Sequence, residues 1–161
     1  PIDLMVFISE LVSYSSPNPT LMFNDMFSHL HWLAILAGAA AYFILGAIWY
    51  SPVLFANPWA KMVNLKMDDP DAKKGMPMLF IGSFIFMFLA STGLGILLQL
   101  LPAGNVMHAA KLGLLVSICF SFTSNSISYL YTRKPVALYA IDGGYHILGT
   151  VLAAIVIKLL S

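Results

Sequence analysis

The sequence predicts an all-α integral membrane protein: a four-transmembrane-helix bundle with a short N-terminal interfacial helix. Three observations carry this. Apolar residues make up 60% and charged residues 9% of the 161 positions, where soluble domains average about 25% charged. No charged side chain falls between Asp25 and Lys61, between Lys74 and Lys111, or between Lys111 and Arg133, so several windows reach the roughly 20 apolar residues a spanning helix needs. A backbone in lipid must also pair its own N–H and C=O groups, which makes the helix the default for each window.

The elements follow in order. Residues 1–30 form an extension. Within it "DLMVFISELVSY" (3–14) sets Leu4, Phe7, Ile8 and Leu11 at helical spacing. That segment is too short to span and is broken by "SSPNPT" (15–20), so it reads as a helix on the membrane surface or docked on the bundle. Residues 31–161 form one domain with spans at about 32–50, 78–101, 112–131 and 136–157. Trp32, Trp49, Tyr50 and Trp59 are interface anchors of the first span, and Tyr129 and Tyr131 close the third, because amphipathic rings prefer headgroup depth. Pro52, Pro77, Pro102 and Pro135 mark span ends. The loop at 61–75 mixes both charge signs and reads as a solvated turn with some helix.

Orientation follows the basic residues. Lys61, Lys66, Lys73, Lys74, Arg133 and Lys134 all fall in the loops after spans one and three, and the opposite side holds only Lys111 and Lys158. By the positive-inside rule, loops 51–77 and 132–135 are cytoplasmic and both termini lie outside, in a cell (inner) membrane.

Polar residues inside spans are costly and usually face the bundle. At about 100° per residue, Ser117, Ser121, Ser124, Asn125 and Ser128 share one arc of roughly 100° on span three. On span four Asp142, His146, Gly149 and Ala153 lie along one face. The short turn at 132–135 makes the two spans antiparallel neighbours. Asn125 and Asp142 then sit about 10 Å from the same end, with His146 one turn deeper. An Asn125–Asp142–His146 cluster rimmed by Ser121, Ser124 and Ser128 is the geometrically natural result. It has two readings. One is interhelical glue, at about 0.6–2 kcal/mol per hydrogen bond. The other is a proton or ion relay, since intramembrane ionisable groups often mark pathways. Small residues recur at fours in span one (Ala34, Gly38, Gly46, with Tyr42 and Tyr50 interleaved) and span two (Ser83, Met87, Ser91, Gly95). They suit close packing within the chain or an oligomer interface.

Two stretches carry a resemblance. In "HWLAILAGAAAYFILGAIWYSPVLFANPW" (31–59) the first span ends in Trp-Tyr-Ser-Pro, Trp49 to Pro52, with Trp59 shortly after. In "NSISYLYTRKPVALYAIDGGYHILG" (125–149) an Asp-x-Gly-Tyr-His motif, Asp142 to His146, follows a third span with Asn125 near its end. Over about residues 31–160 the chain resembles the domain-of-unknown-function family numbered 1761. It departs from that pattern at His31, where Asn is expected, and at Ser126, where a second Asn is usual. The resemblance implies fold and membrane location, points again at Asp142 and His146, and implies no activity.

The scattered basic residues and a net charge of +1 give no nucleic-acid partner. The lone Cys119 cannot form an internal disulfide. "SHLHW" (28–32) has two histidines of a metal clip without the further ligands most sites want. No P-loop, dinucleotide fingerprint or nucleophile elbow occurs, so no metal or cofactor is expected and an enzyme is the least supported class. The leading expectation is an uncharacterised multi-pass protein acting as a small channel, transporter or proton-coupled module in the lipid bilayer. The alternative is a non-catalytic subunit of a larger membrane complex. A homo-oligomer is compatible with either.

Overall fold

The computed structural model describes residues 26–65, 70–101 and 104–161, and every regular element among them is helical. The surface helix expected at 3–14 lies outside these described residues. The chain divides at Leu30 into two units. In the first, residues 26–28 make one helical turn, closed by the Leu30 N–H donating to the Phe27 carbonyl at 3.4 Å.

The second unit begins with α1, Trp32–Trp49, an alanine- and leucine-rich helix without proline. It ends where the Tyr50 N–H donates to the Gly46 carbonyl and Ser51 meets Pro52, which cannot donate to a continuing helix. A tight turn leads into the short α2, Ala56–Met62. Helix α3 runs from Pro70 to Leu100 and contains Pro77. The span end expected at Pro77 is therefore an interior position. Residues 74–79 around it are exposed, so the proline ring faces outward and removes one ladder bond without disturbing a packed face.

Helix α4, Val106–Tyr131, starts at Asn105, whose side chain accepts the His108 N–H at 3.0 Å as an N-cap. Its middle, Ser117–Phe122, is π-helical. Arg133 then adopts a left-handed φ of 52°, and the Lys134 N–H reaches back to the Tyr129 carbonyl at 3.0 Å. This Schellman-type ending turns the chain within a few residues into α5, Val136–Leu160, with Pro135 as its N-cap.

Four of these helices are long and apolar enough to cross a membrane: Trp32–Trp49, Lys74–Leu100, Val106–Tyr131 and Val136–Leu160. The third begins six residues before the expected 112 because Lys111, read as a boundary, is carried on the helix with its side chain exposed.

Helix α5 is the hub. It packs most extensively on α1 and α4, and also on α3. Helices of this apolar composition associate through close van der Waals contact when they lie in a membrane, and glycines permit such contact here. A Cβ on Gly38 of α1 would lie 2.8 Å from Ile157. One on Gly113 of α4 would lie 3.0 Å from the Ala154 methyl. The small-residue face of α1 (Ala34, Gly38, Tyr42, Gly46) is accordingly buried. Helix α3 joins α1 through rings, with Phe43 edge-on to Phe80 and Phe84 and Trp32 stacked near Phe88. It touches α4 only sparsely.

Candidate functional site

Asp142 lies on the second turn of α5 and is buried. Its Oδ1 accepts the Tyr50 hydroxyl from the end of α1 at 2.6 Å, and its Oδ2 accepts the Tyr129 hydroxyl from the end of α4 at 2.5 Å. One side chain thus ties three helices together at a single end of the bundle. The neighbouring Trp49 Nε1–H donates to the Ile141 carbonyl at 3.0 Å. Aromatic rings support the arrangement. Trp59 of α2 stands edge-on to Tyr50, Phe55 lies against Trp49, and Tyr139 stands edge-on to Tyr129. Trp49→Phe removes the N–H together with one ring of the indole, so it should lower stability by about 0.5–1.5 kcal/mol for the bond and further for the lost packing. Thermal unfolding in detergent reads this, and an unchanged midpoint would mean the bond does no work in the folded protein.

One turn further along α5, His146 has different surroundings. Its Nδ1 is 2.7 Å from the Tyr42 hydroxyl, with the direction of the bond set by the imidazole tautomer. The Thr150 hydroxyl donates to the His146 carbonyl at 2.7 Å, and the Tyr145 ring lies against both His146 and Tyr42. His146 also borders a cavity of about 560 Å³. Tyr42, His146 and Thr150 supply polar groups from α1 and α5, and Ser121, Ser124 and Asn125 supply them from α4. The facing wall on α3 is mainly apolar, formed by Phe86, Met87, Leu94 and Leu97, with Ser83 as its hydroxyl.

The residues expected to form one cluster therefore divide between two settings. Asp142 is held by Tyr50 and Tyr129. His146, Asn125, Ser121 and Ser124 line the cavity. Ser128 is exposed and its hydroxyl donates to the Ser124 carbonyl at 3.2 Å, while Ser117 is buried and donates to the Leu114 carbonyl at 3.0 Å. The π-helical turn separates them. It advances by less than 100° per residue, so the positions on either side of it lose the shared arc a regular helix would give. The Thr123 hydroxyl donates to the Cys119 and Phe120 carbonyls beside this turn, and Phe122 packs on Gly143 so closely that a Cβ there would sit 2.5 Å from the ring.

Of the expected interface anchors, Tyr50 and Trp49 make the inward bonds just described, Trp59 backs Tyr50, and Trp32 is about half exposed. Sequence reading assigned no site role to Tyr42, Tyr129 or Tyr145. The signal for Tyr42 was present: it continues the Ala34–Gly38–Gly46 stripe at four-residue spacing, which puts its phenol on the face that meets α5. Among the described residues no group of three or more His, Cys, Asp or Glu stands together as metal ligands.

The family described as "Protein of unknown function (DUF1761)" matches residues 33–158. Neither a curated protein nor a solved structure matches the chain.

Proposed function

The chain belongs to the DUF1761 family of proteins of unknown function, and on that premise we propose that it is a small multi-pass transport module with His146 as its titrating group. The observation that carries this reading is the convergence of polar groups from three helices on one wall of a cavity inside four membrane-length helices. A structural polar seam needs no adjoining space, and a working one does. Histidine is the side chain that changes charge near neutral pH with the least perturbation. On this reading Asp142 holds α1, α4 and α5 in register beside the cavity instead of carrying the proton itself. Loops 51–77 and 132–135 face the cytoplasm. Support for their common side comes from the meeting of Tyr50 and Tyr129 on one carboxyl group.

Proton flux into proteoliposomes tests the proposal. Wild-type protein should conduct above empty vesicles, and His146→Ala should return flux to the empty-vesicle level while still folding. Wild-type flux equal to that of empty vesicles would sink the reading. It would favour the alternative of a non-catalytic subunit, for which a carboxyl group fully engaged by two phenols is glue. In that case the exposed face of α3 (Leu79, Phe80, Ile81, Ile85, Phe86, Leu89) would be what a partner covers.

A further inference from the structure

The cavity at His146 opens sideways. Its α3 wall includes Phe86, Ala90 and Gly93, all exposed on the outer surface of the bundle, and its α4 wall includes the exposed Ser124. A Cβ built on Gly93 meets nothing within 4 Å. The gap lies between α3 and α4, which touch only sparsely. The stretches Lys74–Leu100 and Val106–Tyr131 are apolar enough to cross a membrane, so in a bilayer this lateral opening faces acyl chains.

The lining determines what could enter. Among the described residues no Lys, Arg, Asp or Glu borders the cavity. While His146 is neutral, an anionic head would find no cation and a cationic head no carboxylate, and either would be desolvated without compensation. What the cavity offers instead is neutral hydrogen bonding, most of it on one wall, and a largely apolar surface on the other, where Ser83 is the hydroxyl. Tyr42 occupies Nδ1 of His146, which leaves Nε2 as the ring nitrogen without a partner among the described residues. The Asn125 carboxamide, able to donate and accept, borders the same space. The volume, about 560 Å³, falls in the range of roughly 300–1,000 Å³ typical of small-molecule sites.

We infer that this cavity binds an uncharged amphiphile drawn laterally from the bilayer, its hydroxyl or carbonyl oxygen held by His146 and Asn125 and its apolar body against α3. The inference rests on the same reading of the His146 cavity as the proposed function and names the class of molecule handled there. The lack of Lys, Arg, Asp and Glu in the lining, among the described residues, selects the head group, and the lateral opening selects the route.

Photolabelling of the full chain in lipid bilayers tests it. The probe is a long-chain primary alcohol carrying a diazirine on its chain, compared with the carboxylate and the ammonium of the same chain. Labelling by the alcohol should be saturable, competed by the unlabelled alcohol, and concentrated on residues 86–97 and 116–125. Gly93→Trp, which projects into open space, should abolish the saturable component without unfolding the bundle. His146→Ala or Asn125→Leu should weaken it about tenfold, equivalent to about 1.4 kcal/mol. Labelling that does not saturate, spreads evenly over the outer faces, is as strong with a charged head, or survives Gly93→Trp overturns the inference. No gradient is involved, so saturable labelling without proton flux removes the transport reading alone. Flux without saturable labelling removes this inference alone.

Discussion

Gly149→Leu is expected to destabilise the bundle by about 3 kcal/mol or more, the upper range for overpacking an interior contact. A Cβ at this position would fall directly on the ring of Tyr42, against its Cδ2, Cε2 and Cζ atoms. That ring has nowhere to go. Its hydroxyl is 2.7 Å from His146 Nδ1 and its face lies against Tyr145, with centroids 5.3 Å apart. Relief must come from separating α1 and α5, which pack extensively on each other. Unfolding in detergent with and without Gly82→Leu as a control reads the effect, because nothing lies within 4 Å of a Cβ on Gly82. Equal midpoints for the two variants would mean that α1 and α5 do not approach as described.

Asp142→Ala is the second large effect, at about 2–4 kcal/mol. Two interhelical hydrogen bonds are lost, each about 0.6–1.7 kcal/mol between spanning helices, and two phenols are left without their acceptor, a further cost on the order of 1 kcal/mol. Tyr50→Phe and Tyr129→Phe should each cost less, because each removes one bond and leaves the other. Asp142→Asn should fall between, since it keeps one acceptor oxygen and turns an amide toward the second phenol. The distinguishing result is non-additivity. Once Asp142 is alanine, removing either phenol should cost almost nothing more. Additive losses would place the two tyrosines in separate interactions.

Much of the fold was legible because it depends on composition alone. Charge-free windows located three of the long helices and a window charged only at Asp142 the fourth, and the four-residue spacing of Ala34, Gly38 and Gly46 marked the face of α1 that packs on α5. The depth of Asp142 was legible from its distance to the turn at 132–135. Its partners were not. Rise per residue gives the height of a side chain on its helix, but which neighbours face it depends on rotation about each axis, and two features set that rotation. The π-helical turn at Ser117–Phe122 carries no local proline or glycine to announce it, and a stretch of six ordinary residues reads as regular helix. The placement of α1 beside α5 depends on glycine contacts between helices separated by over a hundred positions. So Asn125, matched in depth to Asp142, lines the cavity, and Tyr129, four residues on, reaches the carboxyl group. Tyr50 was read as a headgroup anchor because a phenol at a span end serves equally well pointing outward or inward.

The central claim is that His146 borders a space it can exchange protons with, while its neighbour one turn away is sealed between two tyrosines. Solid-state nitrogen NMR of histidine-labelled protein in bilayers tests this most directly, with His146→Ala used to assign the signal. As the surrounding buffer is moved from neutral into the acid range, the His146 ring should pass reversibly from its neutral to its doubly protonated form. Tyr42→Phe should shift the Nδ1 resonance. A His146 spectrum unchanged across that range, in protein that stays folded, would contradict the account and leave the imidazole as one more interhelical contact.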